Sequence, residues 1–318
     1  MILHLLYLVL GLAGLAFLAD LFVQGVAEVS ARMRVSQVVT GALIIGFGTS
    51  APELVVSTVS AMEEGAYGTS LAMGNIVGSN VANLTLVLAI PVLMFGSVDI
   101  EEGVLPQALL ALAAVAVFAF FVCFPDPRQL WGVVLLFLSF LALCAVVKLG
   151  ATFGGKQRAP RGDSAWIPWA QTTGGLVGTV VTAHVVVNAA IEIADDLAWS
   201  GGFVGFGLVA IGTSLPELVT ALAAVRRDES GLVIGNLLGS NLFNSLMVGG
   251  SVFLVNGSRP YDVGGPLPRG WIVAMCAVSV LAVRFKFTDR KLEKSEAWGL
   301  LVAYGAFFTW IAFTGTMH

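Results

Sequence analysis

Apolar stretches of roughly twenty residues recur along the whole chain, separated by short segments that carry most of the charge. A helix needs about twenty apolar residues to cross a hydrocarbon core of ~30 Å. Ten stretches qualify, at approximately 3–29, 36–61, 69–95, 104–124, 129–149, 166–197, 202–225, 231–255, 268–286 and 296–315. The pattern predicts an all-α, polytopic membrane protein of ten transmembrane helices, with the lipid bilayer as its surroundings. The segment GATFGGKQRAPRGDS is the least apolar linker. It divides the chain into a first five-helix unit at 1–150, a cytoplasmic linker at 151–165 and a second five-helix unit at 166–318. An odd number of spans per unit means that related units must be inverted relative to each other, an arrangement found in secondary transporters.

Composition agrees. The chain has 318 residues, of which 57% are hydrophobic and only 11% charged, with a mean hydropathy of +0.91. A soluble domain of this length needs far more charged surface. No basic patch interleaved with aromatics points to nucleic acid. The first twenty residues lack a cationic start and a clear cleavage site, so they read as a first membrane helix and not a signal peptide. Cys123, Cys144 and Cys276 lie in apolar stretches and read as buried, inert thiols.

Lys and Arg favour the cytoplasmic side of a membrane. With the N-terminus outside, thirteen of the sixteen Lys and Arg face the cytoplasm, all but Arg128, Arg259 and Arg269. Both termini are therefore expected outside, in a cell (inner) membrane. The acidic loop with Asp99, Glu101 and Glu102 does not change this, because acidic residues weigh little in the rule. A monomer satisfies everything the sequence asks for.

Two blocks occur twice. GTSAPELV at 48–55 returns as GTSLPELV at 212–219, and GNIVGSNVAN at 74–83 returns as GNLLGSNLFN at 235–244. Repetition of two blocks in the same order is a specific sign of an internal duplication. Glu53 and Glu217 fall near the middle of their spans, where an ionised carboxylate costs ~2.5–3.5 kcal/mol or more. Two facing glutamates would neutralise a divalent cation. Pro52 and Pro216 lack an N–H, which releases the carbonyls of Gly48 and Gly212 from helical bonding. Thr49 and Ser50 share a helical face with Glu53, as Thr213 and Ser214 do with Glu217. Ser79 and Asn83 are four apart, like Ser240 and Asn244, with Asn75 and Asn236 a turn earlier on the same faces. Carboxylate, hydroxyl, amide and carbonyl oxygens are the hard ligands that Ca²⁺ prefers. Gly74, Gly78, Gly235 and Gly239 suit close contact between helices.

These blocks, with RVSQVVTGALIIGFGTSAPE leading into the first, resemble the alpha-repeats of the calcium/cation antiporter superfamily, which includes the prokaryotic sodium/calcium exchangers. The resemblance covers nearly the whole chain. It implies a central Ca²⁺ site at Glu53 and Glu217 with backbone oxygens of Thr49 and Thr213. It implies flanking Na⁺ sites at Ser50, Ser214, Ser79 and Ser240 with carbonyls of Gly46 and Ala210, and a middle position lined by Asn83 and Asn244. It further implies that the first and sixth spans move against the rest, that no cofactor is needed, and that the transported ions are Ca²⁺ and Na⁺. Exchangers of this type often carry aspartate where this chain has Asn244. The loss of one titratable group keeps H⁺ as an alternative coupling ion, while the four serines favour Na⁺.

Other polar positions have blander readings. His184 reads as a packed polar residue near a helix seam, with a proton relay as the alternative. Asp20, Glu28, Glu192, Asp195 and Asp196 read as interfacial or vestibule acids. Trp131, Trp166, Trp199 and Trp271 read as interface anchors. A cation channel is the rival from another class, disfavoured because pores are usually rings of subunits. An enzyme lacks a nucleophile–base pair to work with.

Overall fold

A computed structural model describes residues 2–62, 66–99, 104–123, 128–152, 160, 166–196, 212–256, 269–288 and 291–315. The helices are α1 (Ile2–Met33), α2 (Gln37–Thr49), α3 (Ala51–Met62), α4 (Ala66–Leu84), α5 (Leu86–Phe95), α6 (Val104–Cys123), α7 (Arg128–Thr152) and α8 (Ile167–Asp196). They continue with α9 (Leu215–Arg226), α10 (Ser230–Phe243), α11 (Gly249–Asn256), α12 (Arg269–Thr288) and α13 (Lys294–Gly315). Among the described residues, six helical spans are long and apolar enough to cross a membrane, and the bent pair α2–α3 makes a seventh. The expected span at 202–225 is described only from Gly212, and of the linker at 151–165 only its first two residues and Pro160 are described.

Several spans are interrupted where the sequence supplies a reason. α2 and α3 meet at a 42° bend, across Ser50 and just before Pro52. Within α2 the stretch Gly41–Gly46 winds as a π-helix, and a second π-turn, Asn244–Val248, joins α10 to α11. Such turns open a helix by one residue and recur at functional sites. Thr85, at φ −118° and ψ −79°, separates α4 from α5.

Turns on one face of the bundle hold distant parts of the chain together. α1 and α9 both end in a 6→1 backbone bond, Val35 to Ser30 and Glu229 to Ala224, with Arg34 and Asp228 at positive φ. Such terminations satisfy the last carbonyls of a helix. Gln37 donates to the Glu229 carboxylate, and Arg227 grips both oxygens of Asp20 at 2.7 and 2.6 Å. A two-stranded ribbon, β1 (Val98–Asp99) with β2 (Lys291–Leu292), pairs antiparallel. Asp20 is thus held by an arginine fork and does not stand as an isolated mouth acid. Glu28 is likewise paired with Arg32 at 2.9 Å, and Asp196 lies 3.3 Å from His4. Glu192 is exposed, and the side chain of Asp195 lies outside the described residues.

Two apolar clusters form the core. One is built mainly from α4, α6, α7, α11 and α12 around Phe118 and Phe253, the other from α1, α5, α9 and α13 around Phe22 and Leu232. α10 contributes to both. α10 crosses α2 with backbones in contact. A Cβ on Gly46 would lie 2.8 Å from the Ser240 nitrogen, one on Gly41 2.6 Å from the Leu232 oxygen, and one on Gly235 would run into the Val38 oxygen. Gly78, by contrast, has open space beside it, so it makes no close helix contact. α1 and α8 run side by side, with Gly175 against the Phe22 backbone and Gly25 against that of Thr172.

Four further expectations change. Cys123 and Cys144 are exposed on the bundle's outer face and Cys276 is half-buried, so only the last approaches a core thiol. His184 is exposed and bonded along its own helix to Asn188 at 3.1 Å, not packed in a seam. Trp271 is 3% exposed and sits in the core, whereas Trp166 is 70% exposed. Trp131 stacks on Phe121 at 4.6 Å, and Trp199 lies outside the described residues.

The glycine crossing generates a stability prediction. Gly235→Ala places a methyl against backbone that cannot swing away, and overpacking of this kind costs ~1–3 kcal/mol. Thermal unfolding of the detergent-solubilised protein should show a lowered midpoint for Gly235→Ala, while Gly78→Ala leaves it near wild type.

Candidate functional site

The duplicated blocks come together at the α2–α10 crossing. Each GTS triplet ends in a serine with nearly the same irregular backbone, φ −84° and ψ 6° at Ser50 and φ −88° and ψ 7° at Ser214. The prolines that follow, Pro52 and Pro216, carry no N–H for the preceding turn, and at the first of them the helix bends by 42°. Glu53 and Glu217 then occupy the first turns of α3 and α9. Acidic groups at a helix N-terminus are favoured by its unpaired N–H groups. Ser79 and Asn83 project from α4, Ser240 from α10, and Asn244 opens the π-turn that follows.

The expected site residues are almost all sealed from solvent. Glu53, Glu217, Thr49, Ser50, Ser240, Asn83 and Asn244 have no exposed surface, with Ser79 at 1% and Ser214 at 2%. Ser50 donates to Glu217 Oε1 at 3.1 Å, across the two halves. Ser79 donates to Glu53 Oε1 at 3.3 Å, and itself accepts from Ser214 at 3.2 Å and from Asn244 Nδ2 at 3.0 Å. A hydroxyl has one proton and two lone pairs, so Ser79 is saturated. Ser240 has the Gly46 carbonyl at 3.2 Å and Asn236 Oδ1 at 3.3 Å for its one proton. Thr213 is bonded to Asn75 at 3.2 Å. Ala210 lies outside the described residues.

Of the expected site residues, four keep a buried oxygen without a partner among the described residues: Glu53 Oε2, Glu217 Oε2, Asn83 Oδ1 and Asn244 Oδ1; Asn80 Oδ1 and Asn241 Oδ1 in the same blocks are unpaired as well. Asn83 Nδ2 is also unpaired. Buried acceptors are normally satisfied, and a carboxylate oxygen is the most costly to leave bare. Such an oxygen set suits a cation that takes several hard ligands.

Some functional-looking residues escaped the sequence reading. Asn80 and Asn241 follow the serines of both GSN triplets, and their amide nitrogens bind groups other than the glutamates. Asn80 Nδ2 reaches Ser245 at 3.0 Å and Met275 sulfur at 3.5 Å, while Asn241 Nδ2 binds the Asn80 carbonyl at 3.1 Å. Their recurrence at matching positions was the signal that could have found them. Ser57 and Thr220, bonded to Asn75 and Asn236 at 3.0 and 3.3 Å, had none, because they sit one position apart in the two copies.

The sodium/calcium exchanger protein family matches residues 3–150 and again 167–313. An uncharacterized membrane protein of Methanocaldococcus jannaschii is 33% identical over 250 residues, 78% of this chain and 81% of its own. The inner membrane protein YrbG of Escherichia coli is 31% identical over 322 residues, covering 96% and 94% of the two chains. A solved structure of the sodium-calcium exchanger NCX_Mj soaked with Na⁺ and Sr²⁺ superposes with a TM-score of 0.83 at 28% identity, over 97% of this chain and 98% of that one.

The saturated serine carries the prediction here. Ser79→Ala strips a partner from Glu53, Ser214 and Asn244 at once. Orphaning buried polar groups costs ~1–3 kcal/mol, so chemical denaturation in detergent should show a larger loss for Ser79→Ala than for Ser50→Ala, which touches one carboxylate oxygen.

Proposed function

The chain belongs to the sodium/calcium exchanger protein family, and from that premise we propose that it is a secondary antiporter moving Ca²⁺ against Na⁺ by alternating access. It is a multi-pass membrane transporter and not an enzyme. The observation that carries the reading is the set of four unpartnered buried oxygens, two from each half of the chain, at Glu53, Glu217, Asn83 and Asn244.

In this reading Ca²⁺ sits between the Glu53 and Glu217 carboxylates, with the backbone oxygens of Thr49 and Thr213. Na⁺ ions use Ser50, Ser214, Ser79 and Ser240 with the carbonyls of Gly46 and Ala210, and Asn83 and Asn244 line the middle. Ca²⁺ and Na⁺ compete for overlapping oxygens. Ser79 has no spare lone pair until it releases Ser214 or Asn244, so filling its site rearranges bonds that span the two halves. Ligand binding shifts a conformational balance only through such differences between states.

The same proposal includes ten spans in two inverted five-helix units, at 1–150 and 166–318, joined by the linker 151–165. The two separately matched stretches support the division. The contacts Gln37–Glu229 and Asp20–Arg227 and the β1–β2 ribbon support one orientation. With both termini outside an inner membrane, all three fall on the cytoplasmic side with most Lys and Arg. The expected ligands all come from one chain, so a monomer suffices for transport. Coupling to H⁺ is the second reading, favoured by Asn244 in place of an acid, which leaves protonation of Glu53 and Glu217 as the means of neutralising the pair.

The test is calcium uptake by proteoliposomes loaded with Na⁺ at equal pH on both sides. Radioactive Ca²⁺ should enter in proportion to the Na⁺ gradient. Uptake that ignores Na⁺ and follows a pH gradient assigns the coupling to protons. Glu53→Gln and Glu217→Gln should each abolish uptake while the protein stays folded, and uptake at the wild-type rate in either variant removes the site.

A further inference from the structure

Asn75 and Asn236 lie a turn before Ser79 and Ser240, close enough to be taken for ion ligands. Their bonds indicate different work. Asn75 gives its amide nitrogen to Ser57 at 3.0 Å, within its own half, and its oxygen accepts from Thr213 of the other half at 3.2 Å. Asn236 repeats only the first of these bonds, with its nitrogen on Thr220 at 3.3 Å; its oxygen lies 3.3 Å from the Ser240 hydroxyl and 3.4 Å from that of Thr49, whose one proton has the Ile45 carbonyl closer, at 2.9 Å. The orientation of the Asn236 amide is fixed by chemistry. The Thr220 hydroxyl has carbonyl acceptors on Pro216 at 2.8 Å and Glu217 at 3.0 Å, so its proton is committed and its oxygen is left to accept. Only an amide nitrogen can serve it.

Each asparagine therefore spends both ends of its side chain. One end holds the helix that begins with its own half's glutamate, at Ser57 on α3 or Thr220 on α9. The other end of Asn75 holds Thr213, at the break of the opposite half and one residue before Ser214. Both amides are nearly buried, at 8% and 1% exposure. Neither Asn75 nor Asn236 has an unpartnered side-chain atom, in contrast to Asn83, Asn244 and the two glutamates.

We propose that Asn75 is a positioning residue of the transport site, a brace between the halves that sets where Thr213 stands relative to Glu53 and Glu217 and so tunes cation affinity without touching the cation. The inference rests on the antiporter reading and adds to it. It makes affinity depend on a pair, Asn75 with Thr213, neither of whose side chains would ligate.

The experiment is a double-mutant cycle on Ca²⁺ binding, by calorimetric titration of the purified full chain in detergent, paired with uptake kinetics. Asn75→Ala and Thr213→Val should each weaken Ca²⁺ binding about tenfold, the size of one lost buried bond. The double variant should be no weaker than either single one. In uptake, the KM for Ca²⁺ should rise with kcat within about twofold, a split that general loss of folded protein does not produce. Independent, multiplying losses in the double variant would assign Asn75 to direct ligation and overturn the brace. Unchanged affinity in Thr213→Val, which removes one methyl-sized hydroxyl and is the variant safest to fold, would overturn it too. Wild-type protein that binds no Ca²⁺ would sink the site itself and the brace with it, whereas wild-type binding with unaltered variants sinks only the brace.

Discussion

Two carboxylates without exposed surface, surrounded by apolar helices, set the terms for the rest of this protein. Each glutamate has one oxygen held by a serine hydroxyl and one without a partner among the described residues. Neutral donors offset only part of the cost of a buried charge. The irregularities of the fold collect around that deficit. The breaks at Ser50 and Ser214 put helix N-termini at the glutamates, and the glycine crossing lets α2 and α10 approach until the Gly46 carbonyl touches Ser240. Without the close crossing, oxygens from the two halves would be separated by a layer of side chains.

The duplication is closely kept at the breaks and loosely kept around them. Ser50 and Ser214 agree in backbone angles to within a few degrees, yet their hydroxyls differ, one on a carboxylate and the other on Ser79. After Asn83 the helix is interrupted at Thr85, while after Asn244 it continues through a π-turn. Two copies of one sequence thus present unlike surroundings to whatever lies between them. Unlike surroundings are what a protein needs if ions of different charge are to be held in different places.

The chemistry of the site was largely legible from sequence because intramembrane polar residues have few reasons to exist. GTS-x-PE and GN-x-x-GSN announced themselves by recurring. What could not be read was direction. Helical spacing says which residues share a face but not what lies across from it, so Asn80 and Asn241 could not be told from the residues beside them. In a membrane the lipid side is as apolar as the core. Hydropathy therefore did not separate Cys123 and Cys144, which face outward, from Trp271, which is buried. Gly78 and Gly235 occur in equivalent blocks, but only Gly235 meets another backbone. Nothing in the sequence pointed to the partner of Asp20, because Arg227 is 207 positions away.

The hydrogen bonds that satisfy the central polar groups run mostly between halves: Ser50 to Glu217, Thr213 to Asn75, Asn244 to Ser79. A ribosome adds about 5–20 residues per second. The early half must therefore wait on the order of ten seconds or more in the bilayer before its partners are made. During that interval Glu53, Asn75 and Ser79 sit in lipid or at its border with their bonds unmade. An isolated N-terminal unit is for this reason an awkward guest in the membrane, and the nascent chain has cause to linger beside the insertion machinery until its sequel arrives.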